Sequence, residues 1–337
     1  MSKLSLSFIS GLTERVAPLF DGRVSVEGAE LICTRSDASE TFWRQLNFEE
    51  FEVSEMSLSS YLIARSRGVD MMAIPVFPVR RFMHMELFYH VDSGVKTARD
   101  LVGKRLGVGE YQQTAALWMR GILEHDFGVS QYKVDWYMER SEELSHGGAT
   151  GFKPPDGISF HRVPANKSLA SMLVNHELDA APVSRAFSKD SNIIDRSTQI
   201  RAQSGDWSKV KRLFPNRIEE GTRFFKERGY IPASHTFIIR GDVYRKHPWL
   251  AFNLYKAFVA AKDLAQDRLA ASIPSALVFG PEYLAQTREI FGDDPYPYGI
   301  RANKPMLQTI IDYSYEQELI KEKPDLESLF AKSTLEL

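Results

Sequence analysis

Cysteine is nearly absent: Cys33 stands alone in 337 residues. No intrachain disulfide can form, and nothing in the sequence requires an oxidising compartment. Neither sign of charge is in excess, since the formal net charge is −2. A nucleic-acid footprint needs clustered surplus Lys and Arg, so no nucleic-acid partner is expected. Long apolar runs are missing too. No window approaches the ~20 consecutive apolar residues that span a membrane, and no membrane association is expected. The opening MSKLSLSFIS alternates Leu4, Leu6 and Phe8 like a strand. It lacks the continuous apolar stretch of a secretory signal, so a cytoplasmic protein is expected. Familiar catalytic signatures are equally scarce. There is no Gly-x-Ser-x-Gly elbow, no Cys-x-x-Cys or His-x-x-x-His pair, and no phosphate loop.

What is present is an alternation of strands and helices. Strands are expected at Leu4–Ile9, Glu30–Thr34, Phe51–Glu55, Met71–Pro75, Leu87–His90 and Arg105–Val108. Later ones follow at Asp179–Val183 and Thr236–Arg240. Helices are expected at Ser39–Asn47, from Ser57 to Ala64, at Ser168–Asn175 and at Pro248–Gln266. Residues 141–157 are polar and rich in Gly and Pro, and read as a loop or flap. This grammar implies parallel βαβ units in an α/β protein, and the length suits two domains. Several strands end in small polar residues (Ser10-Gly11, Ser57, Gly109-Glu110, Ser184, Ser234), as ligand-binding edges do. Residues 107–118, GVGEYQQTAALW, run from a strand into a helix start, where free backbone N–H groups favour an anion.

Five stretches resemble one family. EMSLSSY (55–61), IPVFPVRRFMH (74–84), DLVGKRLGVGEYQQTAALWMRGIL (100–123), DDPYPYGIRANKPML (293–307) and YSYEQELI (313–320) are similar to 4,5-dihydroxyphthalate decarboxylases. The resemblance implies a two-lobed fold like that of type II periplasmic binding proteins, each lobe a mainly parallel sheet flanked by helices. It implies crossings between lobes near Val91–Lys96 and Tyr230–Ser234. Lobe one is then 1–92 plus 233–337, and lobe two is 93–232, with the active site in the cleft between them. It also implies decarboxylation of a catechol ortho-dicarboxylate to protocatechuate without an organic cofactor. No cofactor and no metal site are expected, although a divalent metal through His84, Glu86 and His161 stays open. In the 74–84 region the triplet is Met83-His84-Met85 where the family pattern leads one to expect Arg-His-Ser, and Val79 stands in place of a serine.

Removing CO2 from an electron-rich ring needs an acid for the ring carbon, a base for a ring hydroxyl and an anchor for the remaining carboxylate. His84, in the family motif, is the expected acid or base, since imidazole titrates near neutrality. Glu110 and Tyr111 are the further catalytic candidates, to accept or share the proton of a ring hydroxyl. Arg80 is the carboxylate anchor that the motif implies, because a guanidinium fork matches a carboxylate. Gln112, Thr114 and Ser57 offer backbone N–H and hydroxyl groups to the anion. His235 stands at the second crossing, and Tyr298 and Arg301 in a proline-rich loop can contact an aromatic ring. Arg185 follows a strand end and can reach the cleft or pair with Asp179. The thioethers of Met83 and Met85 would make an apolar wall beside His84. The partner is a small aromatic carboxylate, in a chain expected to form homo-oligomers through Tyr313, Tyr315 and Phe330. A non-catalytic binding protein of the same fold, and a related decarboxylase of another ring, are the alternatives.

Overall fold

The computed structural model describes residues 3–183 and 206–337. Ser184 and Arg185 lie outside the described residues. Among the described residues eleven strands form two sheets. The first sheet takes β1 (Leu4–Ser10), β2 (Ala29–Arg35), β3 (Val53–Ser57) and β4 (Met71–Ile74) from the start of the chain. The second takes β5 (Leu87–His90), β6 (Arg105–Val108), β7 (Asp135–Met138), β8 (Phe160–Arg162), β9 (Ala180–Pro182) and β10 (Val210–Arg212). The chain then returns, and β11 (His235–Arg240) inserts between β3 and β4. Strand orders are β2-β1-β3-β11-β4 and β10-β5-β9-β6-β7-β8.

Each sheet is mainly parallel with one strand inverted. β11 runs antiparallel to both β3 and β4, and β5 runs antiparallel to both β9 and β10. The inverted strand is in each case the first laid down after the chain changes sheet. β5 thus belongs to the second sheet, so the first crossing lies within 75–86 and not at Val91–Lys96. The chain passes back between β10 and β11, through a segment that includes Tyr230–Ser234. The two crossings pair with each other. Arg80 and Ala233 form an antiparallel bridge, Arg81 donates its backbone N–H to Pro232 at 3.1 Å, and Ser234 donates to Val79 at 2.9 Å.

Local sequence explains the elements that carry the site. β1 alternates, burying Leu6 and Phe8, and ends at Ser10-Gly11. Ser57 terminates β3 and caps the helix Leu58–Ser66, accepting from Ser60 N. After β6 the chain turns through Gly109–Gln113 into the helix Thr114–Phe127, whose N-cap, Gln113, makes no side-chain bond. Gly128 ends that helix in the left-handed conformation. This helix lies between the lobes. Its Trp118 is fully buried and donates Nε1–H to Ala233 O at 2.8 Å on the second crossing. Gly121 in the same helix lies so close to the Tyr313 ring that any Cβ would collide. One continuous apolar core runs through it from Leu58 and Leu62 to Leu307 and Ile311. A second core packs the other face of the first sheet against the helix Trp249–Ala276, through Leu254 and Phe258. No helix among the described residues is long and apolar enough to cross a membrane.

Candidate active site

Two carboxylates that alternation would not bury meet two histidines at the facing edges of the sheets. Glu55 sits on β3, 3% exposed, and its Oε1 lies 2.6 Å from His235 Nδ1 on the paired strand β11. Its other oxygen accepts from Ser10 Oγ at 2.8 Å and Gly11 N at 2.9 Å. Burial opposes ionisation of Glu55, but His235, the Gly11 amide and Ser10 outweigh it and hold the carboxyl below its usual range. The His235 side chain is 17% exposed, against 3% for Glu55.

Glu110 follows β6 and is fully buried. Arg140 Nη1 donates to it at 2.6 Å, Gly147 N at 2.8 Å, and Ser145 and Gln112 donate as well. His146 Nδ1 lies 3.4 Å away. Burial again works against the anion, while His146 and Arg140 overcome it and keep Glu110 ionised. A side chain at position 147 would meet the Gln112 amide at 2.6–3.0 Å, which accounts for glycine there. Ser145–Gly147 belong to the stretch expected as a loop. It holds the short helix His146–Thr150, folded onto the helix Ala38–Phe48 of the first lobe. His146 Nε2 donates to Ser39 O at 3.0 Å, Arg140 Nη2 to Ser39 Oγ at 2.7 Å, and Trp43 Nε1 to Glu143 O at 2.8 Å.

Phe42 joins the two pairs. Its buried ring stands edge-on to His235 with centroids 4.8 Å apart and to His146 at 5.5 Å. Beside them, two helix N-termini touch: Ser57 Oγ and Thr114 Oγ1 are 2.8 Å apart, and Thr114 Oγ1 accepts from Ser59 N at 3.0 Å. Converging positive helix ends, hydroxyls and an ionised acid–imidazole pair suit an aromatic carboxylate.

Of the residues expected from sequence, Glu110, Gln112, Thr114, Ser57 and His235 come together here. Tyr111 does not: its ring packs on Trp136 and Phe152 and under the Arg120 guanidinium, and its hydroxyl donates to Gln131 at 2.7 Å inside lobe two. His84 is fully buried in a different place. Its Nε2 lies 2.7 Å from Glu220, and Phe82, Phe214 and Phe224 surround the ring. Phe214 also packs on Phe127, the far end of the helix that begins at Thr114, ~20 Å away along the helix axis. Met83 and Met85 are core residues and wall no cleft. Arg80 is no open fork, because its Nη atoms donate to Ile231 O at 2.9 Å, Pro297 O at 2.7 Å and Asn303 Oδ1. Tyr298 is buried beside it. Arg301 is exposed and pairs with Glu336. Among the described residues no three of His, Cys, Asp and Glu cluster to hold an ion. A surface depression of about 330 Å³ lined by Glu49, Asp70, Arg240 and Asp242 is at the opposite end of β11 from His235, where Arg240 pairs with Asp242 and Asp70 with Arg245.

Sequence reasoning missed Glu55, Phe42, Arg140 and His146. Glu55 carried a signal, a charged residue inside an apolar strand; His146 in SHGG was masked by a loop-like composition.

No protein-family model matches the chain. In fold it is similar to the periplasmic aliphatic sulphonate binding protein SsuA from Escherichia coli, with a TM-score of 0.55, 13% identity and 100% of both chains covered. It is also similar to the desulfurization enzyme DSZB, with a TM-score of 0.53, 14% identity, and 99% and 98% covered. These likenesses establish the two-lobed fold. In sequence, 37% identity over 187 residues, 55% of this chain and 72% of the other, relates it to a 4,5-dihydroxyphthalate decarboxylase of Pseudomonas putida. A protein of the same name from Comamonas testosteroni is 30% identical over 339 residues, covering 100% of this chain and 99% of that one. With that identity running end to end across both lobes and the cleft, the chain belongs to the 4,5-dihydroxyphthalate decarboxylase family.

Proposed function

We propose that this protein decarboxylates a hydroxylated aromatic carboxylate, 4,5-dihydroxyphthalate, to protocatechuate and CO2, without a cofactor. The observation that carries the reading is the full-length identity to a protein of that activity. The geometry supplies roles. The ring lies against Phe42 between the two histidines. His235, oriented by Glu55 through Nδ1, presents Nε2–H to the ring carbon that bears the departing carboxylate. The carbon–carboxylate bond breaks, its electron pair stays on the ring, and the proton from His235 fills the vacated position as neutral CO2 leaves. Deprotonation of the hydroxyl para to that carbon raises electron density there, and the Glu110–His146 pair is the group suited to share this proton. The converging helix ends at Ser57 and Thr114 receive the carboxylate before it is lost.

A second reading, a receptor that binds aromatic acids without reaction, has the fold likeness to SsuA in its favour. CO2 release and product spectra with 4,5-dihydroxyphthalate and related hydroxybenzoates, with and without a chelator, separate the two. Turnover that survives the chelator is expected. Binding in a thermal-shift screen with no turnover on any of these acids would establish the receptor instead.

The same proposal covers a cytoplasmic location and a homo-oligomer. Of Tyr313, Tyr315 and Phe330, expected at a subunit contact, Tyr313 and Phe330 are buried within the chain and Tyr315 is 45% exposed. A further surface suited to a second copy is the tip Leu277–Phe279, where Val278 is 88% exposed.

A further inference from the structure

Arg120 is a buried cation without a counterion. It lies on the helix Thr114–Phe127, is 1% exposed, and has no part in the chemistry above. Its guanidinium covers the Tyr111 ring at 3.8 Å and stands 5.6 Å from the Trp136 ring. Nε donates to Gln317 Oε1 at 2.8 Å and Nη1 to Tyr111 O at 2.6 Å, while Nη2 has no partner. Both acceptors are neutral, and among the described residues no carboxylate pairs with it. Burial pushes the guanidinium below its usual range, and the Tyr111 phenol opposes that only in part.

Buried cations are normally paired, because removing a charge from water is costly. Packing alone asks for no charge here, since a neutral side chain of similar length would fill the same space. The contact with Tyr111 O indicates what the charge does. The Tyr111–Gln112 peptide is trans, so its C=O and N–H point to opposite sides. With Tyr111 O turned toward Arg120, the Gln112 N–H is turned the other way. Among the described residues nothing accepts that N–H. Gln112 stands at the junction of the lobes: its side chain donates to Glu110, and its carbonyl accepts from Ser59 Oγ at 2.6 Å. A cation bonded to one side of a peptide also strengthens the N–H on the other side as a donor.

We infer that Arg120 is a positioning residue for the anion received at the start of its helix. It fixes the Tyr111–Gln112 peptide with the Gln112 N–H free to donate, and it leaves an uncancelled positive charge behind that helix end. The carboxylate of the ligand is the counterion that the chain itself withholds. The identity of that ligand rests on the decarboxylase reading; the charge argument does not.

Gln317→Glu tests the charge while leaving Arg120 and its bond to Tyr111 O in place. The new carboxylate would meet Nε where the amide oxygen now does and cancel the charge on the spot. Thr114 and Arg120 are ~9 Å apart along the helix axis. A unit charge at that range, in an effective dielectric of about 20–40, changes the affinity for a carboxylate ~5–20-fold. Calorimetric titration of the full chain with phthalate, a non-hydroxylated ortho-dicarboxylate, should show that loss, with the melting temperature at or above that of wild type. Arg120→Lys and Arg120→Met form a second pair, which decides the matter if Gln317→Glu does not fold. Both lose the stacked fork and only lysine keeps the charge, so Arg120→Lys should bind phthalate ~5-fold or more tightly than Arg120→Met. Unchanged phthalate affinity in folded Gln317→Glu would overturn the inference. Equal affinities in the two Arg120 variants would do the same, as would wild-type protein that does not bind phthalate at millimolar concentration. If the wild type binds phthalate but turns over no hydroxylated acid, the decarboxylase reading fails, while a loss in Gln317→Glu still upholds the role of Arg120.

Discussion

Ser57 Oγ and Thr114 Oγ1 lie 2.8 Å apart, one from each lobe. The contact closes the cleft by bringing two helix N-termini together. Thr114→Val keeps the shape and removes the hydroxyl, leaving Ser57 and the Ser59 amide short of a partner. We expect stability to fall by about 1 kcal/mol and KM for 4,5-dihydroxyphthalate to rise ~10-fold. Melting curves and steady-state kinetics check both. Unchanged KM would place the departing carboxylate elsewhere.

His235→Ala should leave the fold intact and reduce kcat by ~10²–10⁴, the usual worth of a positioned proton donor. Glu55→Gln keeps the hydrogen-bonding shape but not the charge that stabilises the imidazolium. Its kcat should fall less than that of His235→Ala. A kcat identical to wild type would separate Glu55 from the chemistry.

His84→Ala tests the residue that the motif brings forward. Its ring fills a site among Phe82, Phe214 and Phe224, so truncation should cost about 2–4 kcal/mol in unfolding experiments. Well below the melting temperature, kcat/KM should stay within ~3-fold of wild type. A selective loss of kcat in a stable variant would return His84 to the reaction.

The same region gives a pH prediction. Burial opposes the charge on Glu220, yet hydrogen bonds from Arg223 and His84 bring its carboxyl down to about 2 from 4.5. The folded value is the lower one, so this stabilisation is complete above pH 4.5 and is lost as pH falls toward 2. It amounts to on the order of 1–2 kcal/mol after allowance for solvent screening. In Glu220→Gln the melting temperature should decline less steeply than wild type between pH 5 and 3. Parallel curves would rule the pairing out as a source of acid sensitivity.

Gly121→Ala should be among the most damaging small substitutions, because the added methyl enters the Tyr313 ring where two helices approach closely. A loss of about 1–3 kcal/mol is expected, read as a lower denaturant midpoint at unchanged slope.

The fold was largely legible. Leu87–His90 and Arg105–Val108 are strands at the expected residues, since each is a short apolar run bounded by charge or glycine. Their membership was not legible: β5 pairs with residues 90 and 120 positions away, and no local pattern encodes that register. The site divides in the same way. Glu110, Thr114 and Ser57 stand where a strand meets a helix, a junction with a sequence signature. Glu55 and His235 form a pair only because β11 returns to lie beside β3. His84 fits a linear motif, but Phe214, Glu220 and Phe224 arrive from more than a hundred residues downstream to bury it. Proximity to a motif arginine was no guide, as that arginine is occupied with two backbone carbonyls and the Asn303 side chain.

The tie between Trp118 and Ala233 sets how the molecule can admit a ligand. Trp118 fixes its helix to the paired crossings one turn from Thr114, a lever arm of ~6 Å. A 10° swing about that anchor moves the Ser57–Thr114 contact by only about 1 Å, too little to pass a benzene ring. The covering segment around His146 is held to the first lobe by Ser39, Trp43 and Arg67, which meet His146, Glu143 O and Thr150 O. We expect those contacts, rather than the Ser57–Thr114 pair, to open when a ligand enters.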